Sequence, residues 1–395
     1  MNYILFDSAT RNNLLPLTFT RPVADLRIGI LTIREKWEFL LGEKTSTLTE
    51  PYLSTKFPLV KAKSNILING SVCPNRNIVK EVVSLKPGQT LVRDETIIAM
   101  ALTAESLETF DGETGSEIQT IANESDFIKI DNTWDLFHYN NRELREDFEM
   151  ITKGRKSQPL SKTNHVINPK DVFIEEGAVV EFSILNASTG PIYIGKEAEV
   201  MEGCKIRGPL ALCNNAILKM DAKIYGATTI GPHSRVGGEV NNSVLLGYSN
   251  KAHDGFLGHS VIGEWCNLGA DTNTSNLKNT YEAVKLWCYA EDSFVQTGLQ
   301  FCGLVMGDHS KSGINTMFNT GTVVGVNANI YGSGFQRNFV PSFSWGGTHG
   351  FSDFDLRKAI NIAKAVYKRR GLEFDQTEQN ILKEIYSLTH KNRRA

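Results

Sequence analysis

The stretch Ile194–Val236, IGKEAEVMEGCKIRGPLALCNNAILKMDAKIYGATTIGPHSRV, returns an aliphatic side chain every sixth residue: Ile194, Val200, Ile206, Leu212, Leu218, Ile224, Ile230 and Val236. A surface helix brings apolar residues back at about 3.6 and a half-buried strand at 2, so a strict six is neither. Hexads are the mark of a parallel β-helix. Four residues after each of the first seven stands a small or modest side chain: Ala198, Cys204, Leu210, Ala216, Ala222, Thr228 and Ser234. One large and one small residue per edge suits the interior of a narrow coil.

Outward from this stretch the pattern begins loosely at Val172, slips by two residues after Val236, and resumes through Val244, Asn250, Phe256, Ile262, Leu268 and Thr274. A polar segment from Leu277 to Asp292 breaks it before a third run: Phe294, Gln300, Met306, Ser312, Phe318, Val324 and Ile330. At about 18 residues per three-sided coil the repeat predicts seven to eight coils, with function expected in the interrupting loops.

The flanks read differently. Residues 1–155 suggest a mixed α/β unit: strands at Tyr3–Phe6, Asn65–Gly70 and Thr96–Leu102, a helix over Ile30–Leu41, and helical spacing through Thr133–Thr152. Polar Lys153–Asn168 marks a boundary. After Trp345-Gly346-Gly347 two amphipathic helices are expected over Phe354–Arg370 and Thr377–His390, parted at Gly371. The domains are therefore drawn at 1–155, 163–345 and 346–395, and the basic end Lys391-Asn392-Arg393-Arg394 is read as a solvated tail.

With 395 residues and a formal net charge of -2, the chain has no global basic field that would argue for nucleic acid. It contains no apolar run of membrane-spanning length and no basic-then-apolar leader at Met1–Asp7, so no membrane association and a cytoplasmic location are expected. Six scattered cysteines without a CxxC pair read as buried thiols rather than as zinc ligands or disulfides.

The richest segment is Lys251-Ala252-His253-Asp254-Gly255-Phe256-Leu257-Gly258-His259, followed by Ile262-Gly263, Asn267-Leu268-Gly269-Ala270 and Ser275-Asn276. It resembles the acetyltransferase half of the bifunctional glucosamine-1-phosphate acetyltransferase / N-acetylglucosamine-1-phosphate uridylyltransferase family. That resemblance implies a left-handed parallel β-helix, a homotrimer, acetyl-CoA as acyl donor, and His253 as the general base that takes the amine's proton. It places Asn267 at the sugar phosphate and Asn276 at the amine or acetyl-CoA site. Lys278 and Lys285 compete for a phosphate-binding role, and Ala270 and Thr297 line the pantetheine groove between subunits. His259 and His309, without such support, read as exposed repeat residues. The chain departs from the family at Phe256, in place of a tyrosine, at Asn241, in place of a phosphate-binding lysine, and at Leu277, in place of an aromatic residue.

In the same family the N-terminal half is a Rossmann-like nucleotidyltransferase. Here the first strand runs into Asp7-Ser8-Ala9-Thr10-Arg11-Asn12-Asn13 with no glycine, and Asn69-Gly70-Ser71 stands where a metal-holding aspartate is usual. The pattern LLPLTFTRPVADLRIGILTIREKW with a later TWDLF is similar to a divergent, shortened branch. In that branch Arg11, Arg21, Arg27 and Lys36 would meet nucleotide phosphates, although Arg34-Glu35-Lys36 also reads as a plain charged helix face. The metal ligands stay unknown, and Mg²⁺ would serve only the nucleotidyl step.

The expected function is N-acetylation of an amino-sugar 1-phosphate coupled to uridylyl transfer, giving UDP-N-acetylglucosamine. Two alternatives stand beside it: a glucose-1-phosphate nucleotidyltransferase using dTTP or UTP with a structural β-helix, and a non-catalytic sugar-nucleotide sensor.

Overall fold

The structure, a computed structural model, describes residues 2–108, 110, 119–122 and 125–393. The chain divides into two compact units, the first comprising Met1–Leu14, Thr20–Leu26 and Leu31–Asn132, the second Leu15–Phe19, Arg27–Ile30 and Thr133–Ala395.

The first unit is Rossmann-like. Strand Asn2–Phe6, apolar and buried from Tyr3 to Phe6, pairs in parallel with Thr45–Leu48 on one side and Ser64–Asn69 on the other. Ser64–Asn69 then pairs antiparallel with Thr96–Thr103, and Gln89–Arg93 and Gln119–Ala122 complete a sheet of six strands. Helix Ile33–Leu41 starts where Thr32 and Glu35 form a reciprocal capping box and stops at Gly42, whose φ of 72° satisfies the left-handed C-cap. Its inner face carries Trp37, fully buried, with Nε1 donating to the Val72 carbonyl at 2.9 Å.

The second unit is a left-handed parallel β-helix with helices at its side and end. Its strands form three parallel stacks of six, nine and ten, the last strand of the ten being antiparallel. The stacks run to more coils than the spacing alone predicts, because pairing already begins at His165–Ile167 and continues to Ser344–Gly347. Ile194 pairs with Leu212 and Leu212 with Ile230, and all eight hexad aliphatics lie in one continuous core. Each such side chain contributes about 1.5–3 kcal/mol of burial, so stacked coils support one another and a lone coil has no core.

Where the period slips, the register differs from the sequence expectation. Ile230 pairs with Leu245 and Val236 with Lys251, so that coil is shorter than its predecessors. Leu245, Lys251 and Leu257 therefore point inward, not Val244, Asn250 and Phe256. The next coil is interrupted: Ile262 pairs with Met306 across an excursion that carries the antiparallel hairpin Lys285–Cys288/Ser293–Gln296. Phe294 belongs to that hairpin and is 43% exposed, so the third run enters the core only from Met306 onward.

Helix Asn140–Thr152 lies against the β-helix within this unit. Asn140, fully buried, accepts from the Gly29 amide at 2.7 Å and donates to the Ala227 carbonyl at 2.9 Å. Helices Leu356–Lys368 and Gln376–Leu388 follow the last coil, parted at Gly371 with φ 71°. The basic end is not simply a solvated tail. The Arg393 guanidinium lies 4.1 Å from the Tyr386 ring centre and its Nε is 3.5 Å from Asp353, while Arg394 falls outside the described residues. No helix among the described residues is long and apolar enough to cross a membrane.

Candidate functional site

The slipped coil places an ammonium group inside the β-helix. Lys251 is 2% exposed and occupies an interior position stacked on Val236; its Nζ donates to the Gly237 carbonyl at 3.0 Å and to the His253 carbonyl at 2.6 Å. Burial lowers its pKa to about 8, against the pull of Asp254 and Asp271. The lysine thus ties down the backbone of the segment that carries His253.

His253 itself is exposed at the edge of this coil and lines a cavity of about 470 Å³. Ala270 lines the same cavity, as do the carboxylates of Asp254 and Asp271, and its rim carries Met220 and Ile314, 64% and 70% exposed. An imidazole beside two carboxylates favours a cationic amine, and the apolar rim favours an uncharged chain next to it. Among the described residues the lining contains no lysine or arginine.

Asn276 takes a different partner. Its Nδ2 lies 2.9 Å from Nδ1 of His259, whose ring stacks on Phe301 at 5.2 Å and meets Phe137 edge-on at 5.8 Å. Burial among these rings pushes the His259 pKa down to about 4. His259 is therefore half-buried rather than an exposed repeat residue, and His309, 5% exposed, is buried outright.

The other residues named for the acetyl site are dispersed. Lys278 donates to the Ala283 carbonyl at 3.0 Å, within its own excursion, and Lys285 is exposed at the start of the hairpin. Thr297 closes a turn, its hydroxyl donating to the Val284 carbonyl at 2.8 Å and accepting from the Leu299 amide at 3.0 Å. Asn267, also exposed, lines a separate cavity of about 420 Å³ with Arg235, Lys311 and Arg370. So His253 and Ala270 share one cavity, while Asn267 and Asn276 each lie in other surroundings. Counting six residues back from Leu257 would have exposed Lys251 as an interior residue.

In the first unit, a cavity of about 470 Å³ opens where strands Asn2–Phe6 and Thr45–Leu48 end, lined by Asp7, Ser8, Arg11, Thr49 and Glu50. Open α/β sheets bind ligands outside the carboxyl ends of their strands. Asp7 accepts from the Val23 amide at 2.8 Å and the Thr49 hydroxyl at 2.5 Å, and burial nevertheless raises its pKa. Arg11 lies 3.4 Å from Asp7 and 3.6 Å from Glu50 and donates to the Tyr52 hydroxyl at 2.9 Å.

Of the four cations expected to meet phosphates, only Arg11 lines this cavity. Arg21 is 6% exposed and Lys36 1% exposed, so Lys36 is no part of a solvated helix face. Arg27 falls in the second unit, where its guanidinium bonds the Ile30 carbonyl. Asn69 is consumed locally: its Oδ1 accepts from the Ser71 amide and hydroxyl, and its Nδ2 donates to the Ile97 carbonyl at 3.0 Å. Among the described residues no group of three or more His, Cys, Asp or Glu side chains is arranged to hold a metal ion. Asp7 and Glu50 share the one guanidinium of Arg11, and Asp7 is further held by the Val23 amide and the Thr49 hydroxyl, so these two carboxylates alone do not form the oxygen cage that a resident cation takes.

With this geometry, residues 3–156 match the family model described as sugar nucleotidyl transferase. This part of the chain is thus similar to a sugar nucleotidyl transferase domain, and the chain continues from it into a left-handed β-helix. More particularly, parts of it are similar to proteins named as bifunctional nucleotidyltransferase/acetyltransferases. It is 29% identical over 194 residues to the bifunctional protein GlmU of Methanocaldococcus jannaschii, covering 49% of this chain and 41% of the relative. It is 27% identical over 144 residues to a bifunctional sugar-1-phosphate nucleotidylyltransferase/acetyltransferase of Sulfurisphaera tokodaii, covering 36% and 35%. The chain spans less than half the length of these curated relatives. Among solved structures, a UDP-N-acetylglucosamine acyltransferase from Campylobacter jejuni is similar over 60% of this chain and 92% of its own, with 16% identity and a TM-score of 0.24.

Proposed function

We propose that the chain acetylates an amino sugar from acetyl-CoA at the His253 cavity and transfers a nucleotidyl group onto a sugar 1-phosphate at the Asp7–Arg11 cavity. The observation that supports the first step best is an exposed imidazole sharing a cavity with Asp254 and Asp271. The carboxylates attract the substrate ammonium, and His253 removes the amine proton as its nitrogen attacks the thioester carbon. The C–N bond forms, the C–S bond breaks, and CoA leaves as the thiol after protonation. Backbone N–H groups of the coil edge suit the transient oxyanion. Ala270 and the apolar rim suit pantetheine, as in the groove between subunits that a trimer provides.

Glucosamine 1-phosphate is the proposed acceptor, with UTP the proposed donor for the second step and UDP-N-acetylglucosamine the product. Arg11 would hold phosphates of the nucleotide by charge-assisted hydrogen bonds. Thiol release from acetyl-CoA with glucosamine 1-phosphate, followed on the full chain, tests the acetyl step. His253→Ala is expected to lower kcat by about 10²–10⁴-fold with the fold retained by circular dichroism. Unchanged turnover in that variant removes His253 from the mechanism.

A further inference from the structure

One corner of the β-helix is built from residues in the left-handed backbone conformation. His233, Tyr248, Trp265 and His309 occupy it on successive coils, with φ between 53° and 63°, whereas Asn215 and Asn327 occupy the same corner on either side. Asparagine and histidine are enriched in left-handed backbone, whereas Tyr248 and Trp265 adopt it at a cost of about 1–3 kcal/mol each. Stacking offsets it: His233 lies 4.7 Å from Tyr248, Tyr248 4.3 Å from Trp265, and Trp265 4.0 Å from Tyr367 of helix Leu356–Lys368. The ladder thereby fixes the C-terminal helix against the coils.

Beside the ladder runs a column of outward residues set by the register: Arg235 pairs with Asn250, Asn250 with Asn267, and Asn267 with Lys311. The helix end brings Arg369 and Arg370 across from it, enclosing the 420 Å³ cavity. Among the described residues its lining holds four cations and two asparagine amides, but no carboxylate. Arg370 reaches Asn250 at 3.3 Å, and burial together with Arg235 and Arg369 pulls its pKa down. Lys311 donates to the His309 carbonyl at 2.8 Å and lines the cavity with no carboxylate among the described residues of that lining. Like charges gathered under a fixed helix repel one another, a cost that a bound anion would offset.

We propose that this cavity is a binding site for clustered phosphates, with Arg235, Lys311 and Arg370 as the charged donors and Asn267 as an amide donor. Both faces of Trp265 are already covered by Tyr248 and Tyr367, so recognition is of the phosphates rather than of a stacked base. The site is lined by different residues from the His253 cavity; with coenzyme A or a sugar 1-phosphate as ligand the inference rests on the acetyl-transfer reading, and with pyrophosphate it does not. Chemically it suits the diphosphate of a coenzyme A, the phosphate of a sugar 1-phosphate, or free pyrophosphate released by nucleotidyl transfer.

Titration calorimetry of the full chain with inorganic pyrophosphate, at low and at physiological salt, tests it. Binding that weakens at least tenfold in Arg370→Gln and in Arg235→Gln, but is unchanged in His253→Ala, is expected. Arg235 is exposed on the solenoid wall, so its substitution keeps the fold even if Arg370→Gln loosens the helix. Parallel titrations with coenzyme A and with glucosamine 1-phosphate identify the source: whichever binds tightest and shows the same dependence on Arg235 and Arg370 is the natural ligand. Absence of binding by all three probes at millimolar concentration overturns the proposal, as does binding that Arg235→Gln and Arg370→Gln leave within twofold.

Discussion

The amide nitrogen of Asn276 stands 2.9 Å from Nδ1 of His259. An amide NH₂ only donates, so Nδ1 accepts and the ring proton sits on Nε2. Gly258 makes this contact possible, since a Cβ there would fall 2.6 Å from the Asn276 nitrogen. The ring is held neutral by burial, with a pKa near 4. Nitrogen-15 NMR of the ring is expected to report a single Nε2–H tautomer, uncharged down to about pH 5. In Gly258→Ala the displaced amide releases Nδ1, and a mixture of tautomers appears. An Nδ1–H tautomer in the unmodified protein contradicts the assignment.

Lys251 makes stability depend on pH on the alkaline side. Its folded pKa near 8 lies below the unfolded value near 10.5, so between those limits the unfolded chain binds more protons. Stability must then rise with pH across that window. The full effect is on the order of 3 kcal/mol, at about 1.4 kcal/mol per unit. Urea unfolding from pH 7.5 to 10 is expected to show this rise, and Lys251→Met to abolish most of it. A flat profile in the unmodified chain would place the ammonium in water.

The two halves of the chain differ in how far the sequence betrays them. From Ile194 to Val236 the hexads suffice, because each interior position must be apolar and each coil has the same length. Past Val236 that rule fails for a physical reason: a shortened coil shifts the register by one, and the residue brought inside is a lysine satisfied by carbonyls rather than an aliphatic. The motif around His253 is readable, since adjacent residues on one coil edge remain adjacent in space. Thr297 and Lys278 lie on an excursion whose path no local pattern fixes. The cationic cavity was invisible for another reason, as Arg235, Lys311 and Arg370 meet only through register and helix docking. Likewise the burial of Lys36 is a tertiary outcome that helical spacing alone left as a charged face.

Thiol chemistry offers a check on the packing. Cys73, Cys204, Cys213, Cys266 and Cys302 are buried, and Cys288 is partly exposed. Burial pushes the Cys204 thiol up to about 11 and those of Cys266 and Cys302 to about 12, far from the thiolate that reacts. An aromatic disulfide reagent at pH 8 is expected to label Cys288 in the native protein within minutes, and the other five only after denaturant is added. Fast labelling of Cys266 would mean that the coil beside the cationic cavity opens readily.

At the end of strand Asn2–Phe6, Asp7 and Arg11 make separable contributions. Asp7→Asn keeps an acceptor for the Val23 amide and removes a charge that burial already disfavours. Its melting temperature is expected to stay within a few degrees of the unmodified chain. Arg11→Ala removes the cation shared by Asp7, Glu50 and the Tyr52 hydroxyl, leaving two carboxylates facing one cavity. That variant is expected to lose about 10–100-fold in affinity for UTP, as the loss of one or two charge-assisted bonds implies, and to melt lower than Asp7→Asn. Binding of UTP measured on both variants decides the matter. If Arg11→Ala binds as well as the unmodified chain, the guanidinium serves only to neutralise its carboxylates, and the phosphate contacts of this domain must come from elsewhere.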